Sequence, residues 1–118
     1  MKNIVLPDKK ERSLAFYLAM EEYVARVVDG DSFFVWRVSP TVIIGRNQDL
    51  EAEVNLDYCR SHDVKVVRRK SGGGCVYSDM GNIMISYVSE RGQVSEVFER
   101  YLSALTVCLK SLGLDAEK

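Results

Sequence analysis

Apolar residues recur at helical spacing in two long segments of the chain. Between residues 14 and 28 they lie three or four positions apart, and Ser13 occupies the position of a helix N-cap. From residue 94 to 112 the same spacing continues until Gly113, a residue typical of helix C-termini. The pattern predicts two amphipathic helices. Because each buried large apolar side chain contributes roughly 1.5–3 kcal/mol, we expect the second helix to pack its apolar face on a sheet.

Short runs of β-branched and aromatic residues lie between the two helices and predict strands. The runs cover residues 33–38, 41–46, 64–67 and 83–88, a further strand begins at Cys75, and residues 4–6 predict the start of an edge strand. Asn55 is a candidate N-cap for a short helix that reaches His62. Together these elements predict one α+β domain over residues 1–118, with a mixed, largely antiparallel sheet backed by the two long helices.

The composition narrows the class of protein without changing this fold prediction. The 118 residues are 47% hydrophobic and carry a formal net charge of −1, which argues against a nucleic-acid-binding surface. No apolar run approaches the roughly 20 residues of a membrane span, and the first residues lack a signal-peptide pattern. Three widely spaced cysteines suit a reducing cytoplasm and predict no disulfide framework. With a single histidine, the sequence does not predict a zinc site.

A cationic, glycine-rich segment lies between two of the predicted strands. Arg68, Arg69 and Lys70 end the first strand, and Ser71 is followed by three glycines. Consecutive glycines let backbone N–H groups approach a ligand closely, and arginine can bind a phosphate or carboxylate through two parallel hydrogen bonds. The spacing is neither a P-loop nor the dinucleotide-binding Gly-x-Gly-x-x-Gly. The segment therefore predicts an anion-binding loop, and the alternative is a flexible hairpin loop whose cations are solvated.

Three polar residues outside this segment are interpreted as surface positions. Glu21 and Glu22 lie within the first predicted helix, where charged residues usually face the solvent. His62 ends the short predicted helix and is expected to be exposed and not catalytic.

The chain resembles the lipoate–protein ligases, a family that shares its fold with the biotin–protein ligases. The most specific match runs from Arg68 to Asn82 and is similar to the family signature RRxSGGGxVxHDxGN. Residues 18–22, 36–48 and 53–55 match further family elements in the same order, so the resemblance covers nearly the whole chain. It implies a biotin/lipoyl ligase-like α+β fold, similar to class II synthetases, and identifies the chain as the N-terminal part of a catalytic domain.

The resemblance implies an ATP-dependent ligase that works in two steps. Lipoate and ATP, with Mg²⁺, would give lipoyl-adenylate, and a lysine of a lipoyl carrier domain would then take the acyl group. The implied carriers are the lipoyl domains of 2-oxoacid dehydrogenase complexes or the glycine-cleavage H protein. An acyl-adenylate carries one phosphate that needs cations and backbone donors, which agrees with an anion-binding loop.

The same resemblance implies a set of ligand-binding residues. Arg69 would contact the phosphate or carboxyl end of the ligand, and the main chain of residues 73–76 would line it. An apolar groove near Trp36, Gly45 and Tyr77 would take the acyl tail. Arg46 and Asn82 would contact the nucleotide side. The full implied set of substrate- and adenylate-binding residues is Arg69, Ser71, Gly73, Gly74, Cys75, Val76, Tyr77, Asp79, Asn82, Trp36, Gly45 and Arg46.

Two departures from the family pattern leave other functions open. Ser78 stands where the signature has histidine, and the essential lysine of the family would lie beyond Lys118, so the catalytic residue is unassigned and a separate C-terminal polypeptide could complete the site. One alternative is an ATP-independent lipoyl or octanoyl transferase with Cys75 as its nucleophile, although a small buried Cys75 is the simpler interpretation. The other alternative is a non-catalytic module that binds acyl-adenylate.

Overall fold

The computed structural model describes residues 1–90 and 92–118. In chain order its elements are β1 (Lys2–Asn3), α1 (Leu14–Val27), β2 (Ser32–Trp36), β3 (Thr41–Ile44), α2 (Leu50–Glu53), α3 (Leu56–Ser61), β4 (Lys65–Arg68), β5 (Val76–Ser78), β6 (Met84–Val88) and α4 (Val94–Ser111). None of the helices in this described part is long and apolar enough to cross a membrane.

Side-chain caps fix the starts of the helices that precede β4. Ser13 Oγ accepts a hydrogen bond from the amide of Phe16 at 3.4 Å, and Asn55 Oδ1 accepts one from Tyr58 at 3.0 Å. Asp49 caps α2 in the same way. Because the first amides of a helix have no partner within it, these short polar side chains decide where α1, α2 and α3 begin. The N-caps predicted at Ser13 and Asn55 are confirmed.

The strands form two three-stranded mixed sheets. In the first, the order is β1-β2-β6, with β1 parallel and β6 antiparallel to β2. In the second, the order is β4-β3-β5, with β4 parallel and β5 antiparallel to β3. The helices α2 and α3 connect β3 to β4, as parallel neighbours require. The α+β class is confirmed, although the strands divide between two sheets and each sheet has as many parallel as antiparallel pairs.

The first strand lies earlier in the chain than predicted. β1 covers residues 2–3, whereas the sequence favours residues 4–6. The amide of Ile4 still donates to the carbonyl of Phe33 at 2.9 Å, and the pairing with β2 ends there. Pro7, which has no N–H to donate, follows shortly after. The edge strand of the structure therefore lies just before the predicted run and does not extend through it.

The main core forms where α1 covers both sheets. Trp36 stacks on Tyr17 with the ring centroids 4.7 Å apart. Where α2 and α3 cover the second sheet, Ile44, Val54 and Cys59 form a smaller buried cluster. The buried residues of the main cluster are Leu14, Tyr17, Val24, Phe34, Trp36, Val38 and Ile43.

The long helix α4 is present as predicted, but no residue in it is buried. Tyr101 stacks on Tyr87 of β6 with the centroids 5.3 Å apart. Val94 and Phe98 nevertheless remain 85% and 60% exposed. The expectation that the apolar face of this helix is buried on a sheet is therefore wrong for much of its length, since the first sheet has three strands and ends at β6 within the described residues.

Candidate functional site

The cationic glycine-rich segment crosses the end of β3. β4 and β5 flank β3 on either side, so residues 69–75, which we call the glycine loop, pass over the residues that follow β3. The amide of Arg69 donates to the carbonyl of Ile44 at 3.0 Å, and the amide of Arg46 donates to the carbonyl of Ser71 at 2.9 Å. These two bonds fasten the loop to the second sheet.

Gly45 lets the glycine loop approach β3 closely. A Cβ atom at this position would lie 2.1 Å from the carbonyl oxygen of Gly73, so no side chain fits there without moving the loop. Gly73 itself has a φ of +93°, a conformation that glycine adopts without strain. The role of Gly45 in the structure is therefore a close approach between two backbone segments.

Arg68 holds the segment after β3 through backbone carbonyls. Its Nη1 donates to the carbonyls of Gly45, Arg46 and Gln48 at 2.9, 3.2 and 2.7 Å. The side chain of Gln48 stabilises the same segment, because its Oε1 accepts a hydrogen bond from the amide of Gly45 at 2.9 Å. The guanidinium of Arg68 therefore fixes the conformation of the segment that the glycine loop crosses.

Arg69 holds the glycine loop in the same manner. Its Nη2 donates to the carbonyls of Gly72 and Gly74 at 2.8 and 2.7 Å, and its Nη1 donates to Ile43 at 3.2 Å. A guanidinium has five N–H donors. In the described part of the chain, the backbone uses three of them and two remain. The sequence assigns this residue to the anion alone, whereas the structure also gives it a structural role that periodicity and spacing do not reveal.

Lys70 and Arg46 are exposed cations beside the loop. Lys70 Nζ lies 3.1 Å from Glu22 Oε2 on α1, and the lysine side chain is 91% exposed. The hydrogen bond and charge of Lys70, with a smaller effect of Arg26, lower the pKa of the Glu22 carboxyl. The interpretation of Glu22 as plain helix surface therefore misses an ion pair that joins α1 to the glycine loop.

Asp79 and Asn82 hold the turn that follows β5. Asp79 Oδ1 accepts from the amide of Gly81 at 2.8 Å, and Asn82 Oδ1 accepts from the amide of Asp79 at 3.0 Å. The hydroxyl of Tyr77 donates to Asp79 Oδ2 at 3.1 Å. Partial burial, with the neighbouring Asp79 carboxylate, raises the pKa of Tyr77. Each of these polar groups thus has a structural partner within the turn, and a ligand-binding role for them stays a prediction.

Trp36 lies at the buried end of a series of hydrogen bonds that links β2 to α1. Its Nε1 donates to Ser86 Oγ at 2.9 Å, and the hydroxyl of Ser86 donates in turn to Glu21 Oε1. Glu21 is half-buried, so it is not the solvated surface residue that the sequence suggests. The spacing within α1 gives no signal for this contact, because Ser86 lies 65 residues away.

The structure does not bring all of the predicted tail-binding residues into one cavity. Trp36, with Met20, Phe34 and Met80, lines an open cavity of about 870 Å³ between β2 and the segment 3–12. Neither Gly45 nor Tyr77 lines this cavity. The tail groove near these three residues therefore stays a prediction.

The side chains around the start of β5 divide between core and surface. Cys75 packs against the smaller buried cluster, in agreement with its structural interpretation, whereas Val76 and Tyr77 are 50% and 53% exposed. Ser78 is buried opposite Thr41, and its hydroxyl has no hydrogen-bond partner among residues 1–90 and 92–118. Ser78 therefore faces the protein interior at the position where the family signature has histidine.

The described residues contain no group of three or more His, Cys, Asp or Glu side chains that could hold a metal ion. His62 is exposed and stacks on Tyr58 with the ring centroids 3.8 Å apart. Its predicted exposure is confirmed.

The two mixed sheets, the covering helices and the loop over the end of β3 define an α+β domain of the biotin and lipoate ligase fold. The chain belongs to the lipoyl protein ligase A/B catalytic domain family, whose model matches residues 13–118. The resemblance drawn from the sequence is thereby confirmed.

Relatives and solved structures agree with this assignment. Lipoate–protein ligase 1 of Staphylococcus aureus is 40% identical over 103 residues, which are 85% of this chain and 31% of that protein. The mouse mitochondrial lipoyl amidotransferase LIPT1 is 50% identical over 58 residues, which are 49% of this chain and 16% of that protein.

Two solved structures superpose on nearly the whole chain. The bipartite lipoate–protein ligase of Thermoplasma acidophilum, described together with its E2 lipoyl domain, has a TM-score of 0.84 and 30% identity. A lipoate–protein ligase A bound with ATP has a TM-score of 0.82 and 31% identity. The match covers 99% and 97% of this chain but 47% of each of those chains. The chain thus spans about half the length of these structures and less than a third of the Staphylococcus relative.

Proposed function

We propose that this chain is the adenylate-binding part of a lipoate–protein ligase. The observation that carries the proposal is the glycine loop, which Arg69 and Gly45 hold across the end of β3 with two guanidinium donors left over. A preformed loop with backbone N–H groups and fixed cations suits a phosphate that bears an acyl group. The names of the relatives supply lipoate as the acyl acid, and an ATP-bound structure supplies the nucleotide.

In the proposed reaction, a carboxylate oxygen of lipoate attacks the α-phosphorus of ATP, and the bond to pyrophosphate breaks. The ε-amine of a carrier lysine then attacks the acyl carbon, and AMP leaves with the bonding electrons. Arg69 would donate its remaining N–H groups to the phosphate, while Lys70 and Arg46 would add positive charge beside it. Mg²⁺ would accompany ATP, and we assign it no protein ligand because the described residues offer no cluster for one.

Further polypeptide would supply the cation that neutralises the reacting carboxylate and phosphate. In this proposal the 118 residues are the N-terminal part of the catalytic domain, and the lysine that the family uses lies outside them. The bipartite Thermoplasma ligase shows that such a relative can consist of more than one part, and its E2 lipoyl domain indicates the class of carrier. We propose lipoyl domains of 2-oxoacid dehydrogenase complexes, or the glycine-cleavage H protein, as carriers in the cytoplasm.

A transferase is the second candidate, because the amidotransferase LIPT1 is among the relatives. An acyl transfer without ATP would need a nucleophile, and Cys75 is the cysteine of the glycine loop. Intact mass measurement after incubation with an octanoyl-carrier protein would detect an acyl group on Cys75. Full activity of Cys75→Ala would exclude this route.

Lipoate-dependent exchange of pyrophosphate into ATP by the 118-residue chain tests the ligase proposal. Exchange would mean that the chain forms the adenylate by itself, so that no further lysine is needed. Binding of lipoyl-adenylate without exchange would support the proposal that the chain holds the site but not the catalytic cation. If the chain shows no exchange and does not bind lipoyl-adenylate, both the ligase activity and the adenylate-binding role are refuted. Titration calorimetry with a non-hydrolysable lipoyl-sulfamoyl-adenosine separates these cases.

A further inference from the structure

Two consecutive glutamates of α1 contact the two sheets in different ways. Glu21 Oε1 accepts a hydrogen bond from Ser86 Oγ of the first sheet, and Ser86 in turn accepts one from Trp36 Nε1. Glu22 Oε2 lies 3.1 Å from Lys70 Nζ in the glycine loop, which crosses the second sheet. Because the contact of the half-buried Glu21 fixes this turn of α1, the carboxylate of Glu22 is held at a defined place beside the glycine loop.

The carboxylate of Glu22 has two cationic partners. Its Oε1 lies 2.5 Å from Nη2 of Arg26, which is one turn further along α1, while its Oε2 faces Lys70. The ion pair with Arg26 lies within the helix and does not involve the glycine loop, so it persists if Lys70 moves away. Departure of the lysine would therefore not leave the carboxylate without a partner.

Lys70 is the most weakly held cation of the glycine loop. Its side chain is 91% exposed, and its ammonium group is carried on a flexible four-carbon chain. Within the described residues this ammonium group pairs with Glu22 alone. The neighbouring Arg69, in contrast, donates to three backbone carbonyls and is fixed by them. Lys70 is therefore the cation of this loop that can change its partner without disturbing the loop itself.

The family pattern does not require a lysine at this position. Lys70 occupies the variable position x of the signature RRxSGGG. On one side of it Arg69 holds the loop carbonyls, and on the other the carbonyl of Ser71 accepts from the amide of Arg46. The backbone of Lys70 is thus fixed at both ends, and its ammonium group stays beside any anion that the loop binds.

We propose that Lys70 exchanges partners when the glycine loop binds its anion: the ammonium group leaves Glu22 and pairs with the phosphate of the acyl-adenylate. In taking this anion to be an adenylate phosphate, the inference rests on the proposed function. A phosphate offers the ammonium group several acceptor oxygens, and the transfer leaves Glu22 paired with Arg26. Glu22 is then a positioning residue that holds Lys70 in the free chain and competes with the ligand for it.

The affinity for lipoyl-sulfamoyl-adenosine, whose anionic sulfamate replaces the phosphate, tests the exchange. Titration calorimetry compares the unchanged 118-residue chain with Glu22→Gln at about 0.15 M salt, where exposed charges more than about 8 Å apart are largely screened. We expect Glu22→Gln to bind the analogue about two- to fivefold more tightly, because Lys70 no longer has to leave a carboxylate and an exposed ion pair contributes an effect of this size.

A double-mutant cycle tests whether Lys70 is responsible for this gain. In the Lys70→Ala background, Glu22→Gln should change the affinity by less than about 1.5-fold, since no ammonium group is left to exchange. The exposed ion pair between Glu99 of α4 and Lys118 supplies the matched control. Glu99→Gln removes the same charge from the same kind of pair outside the glycine loop, so it should bind the analogue as the unchanged chain does. Circular dichroism checks that each variant is folded.

A gain in Glu22→Gln that disappears in the Lys70→Ala background supports the exchange. An unchanged or weaker affinity of Glu22→Gln would overturn it, because Glu22 would then not compete for Lys70. A gain that persists without Lys70, or an equal gain in Glu99→Gln, would also overturn it, because the lost negative charge would then act without any exchange. In each of these cases the unchanged chain still binds the analogue and the proposed function stands. If the unchanged chain does not bind the analogue, the proposed function is refuted together with the exchange.

Discussion

The contact between Gly45 and Gly73 makes a sharp prediction about the glycine loop. In Gly45→Ala, the new Cβ would lie 2.1 Å from the carbonyl oxygen of Gly73, compared with 3.4 Å for ordinary contact, so the loop or β3 must move by about 1.3 Å. Backbone cannot yield as a flexible side chain does, and overpacking of this kind costs about 1–3 kcal/mol. We therefore expect Gly45→Ala to lower the free energy of unfolding by that amount.

The same displacement should weaken ligand binding. The hydrogen bond between the amide of Arg46 and the carbonyl of Ser71 joins the two segments that are pushed apart. If the loop amides form the phosphate site, a shift of about 1 Å misplaces them, and binding of the lipoyl-sulfamoyl analogue should fall more than about tenfold. Urea denaturation measures the first effect, and titration calorimetry measures the second.

Gly72→Ala is the matched control, because it makes the same chemical change in the same loop. A Cβ at Gly72 meets no atom within 4 Å, and its φ is not positive in the manner of Gly73. We expect its unfolding free energy to match that of the unchanged chain within about 0.5 kcal/mol. Equal destabilisation by Gly72→Ala and Gly45→Ala would show that the close approach does not constrain the loop.

Three further predictions concern charges and hydroxyls. Arg69→Ala should weaken binding of the lipoyl-sulfamoyl analogue by about 1.5–3 kcal/mol in calorimetry, and unchanged affinity would remove this guanidinium from the site. In urea denaturation, Ser78→Ala should be neutral or stabilising, because it removes a buried hydroxyl that has no partner among the described residues. Ser86→Ala should lower the free energy of unfolding by about 1–3 kcal/mol, because it leaves the indole N–H of Trp36 unpaired. The reverse order of the two effects would contradict the hydrogen-bond assignment. Because the pKa of Glu22 is lowered, its ion pair with Lys70 stabilises the fold at pH values above the ordinary pKa of glutamate, and this stability is lost as the pH falls through the lowered value. The melting temperatures of the unchanged chain and of Lys70→Ala should therefore converge in acid. A constant difference between them down to about pH 2 would refute the linkage.

Local features of the fold could be predicted because each depends on neighbouring residues. The helical spacing of apolar side chains located α1 and α4, and short polar side chains marked the N-caps at Ser13 and Asn55. β-branched runs located β2, β3, β4 and β6 to within a few residues. The division into two sheets could not be predicted, since strand pairing depends on contacts between residues far apart in the chain.

The candidate site shows the same limit. The glycine-rich motif located the loop, but charge and spacing say nothing about which carbonyls a guanidinium reaches or whether Glu21 meets a serine 65 residues away. Ser78 could be recognised as a departure from the family signature, whereas its burial follows from its register opposite Thr41. The exposure of the apolar face of α4 was missed because periodicity identifies an apolar face without showing what covers it.

The hydrogen bonds of Arg69 explain how a loop with three consecutive glycines can have one fixed conformation. Three glycines in a row would leave the chain free to adopt many conformations, and fixing each residue costs about 1–2 kcal/mol in entropy. Arg69 offsets part of that cost by holding the carbonyls on either side of Gly73, and charge-assisted hydrogen bonds contribute roughly 1.5–3 kcal/mol each. The carbonyls turn toward the guanidinium, so the cation that is proposed to bind the phosphate also holds the loop in shape for it. Arg69→Lys keeps the charge but lacks the planar fork, so it should lose loop order as well as affinity, and faster hydrogen exchange of the loop amides in this variant would separate the two roles.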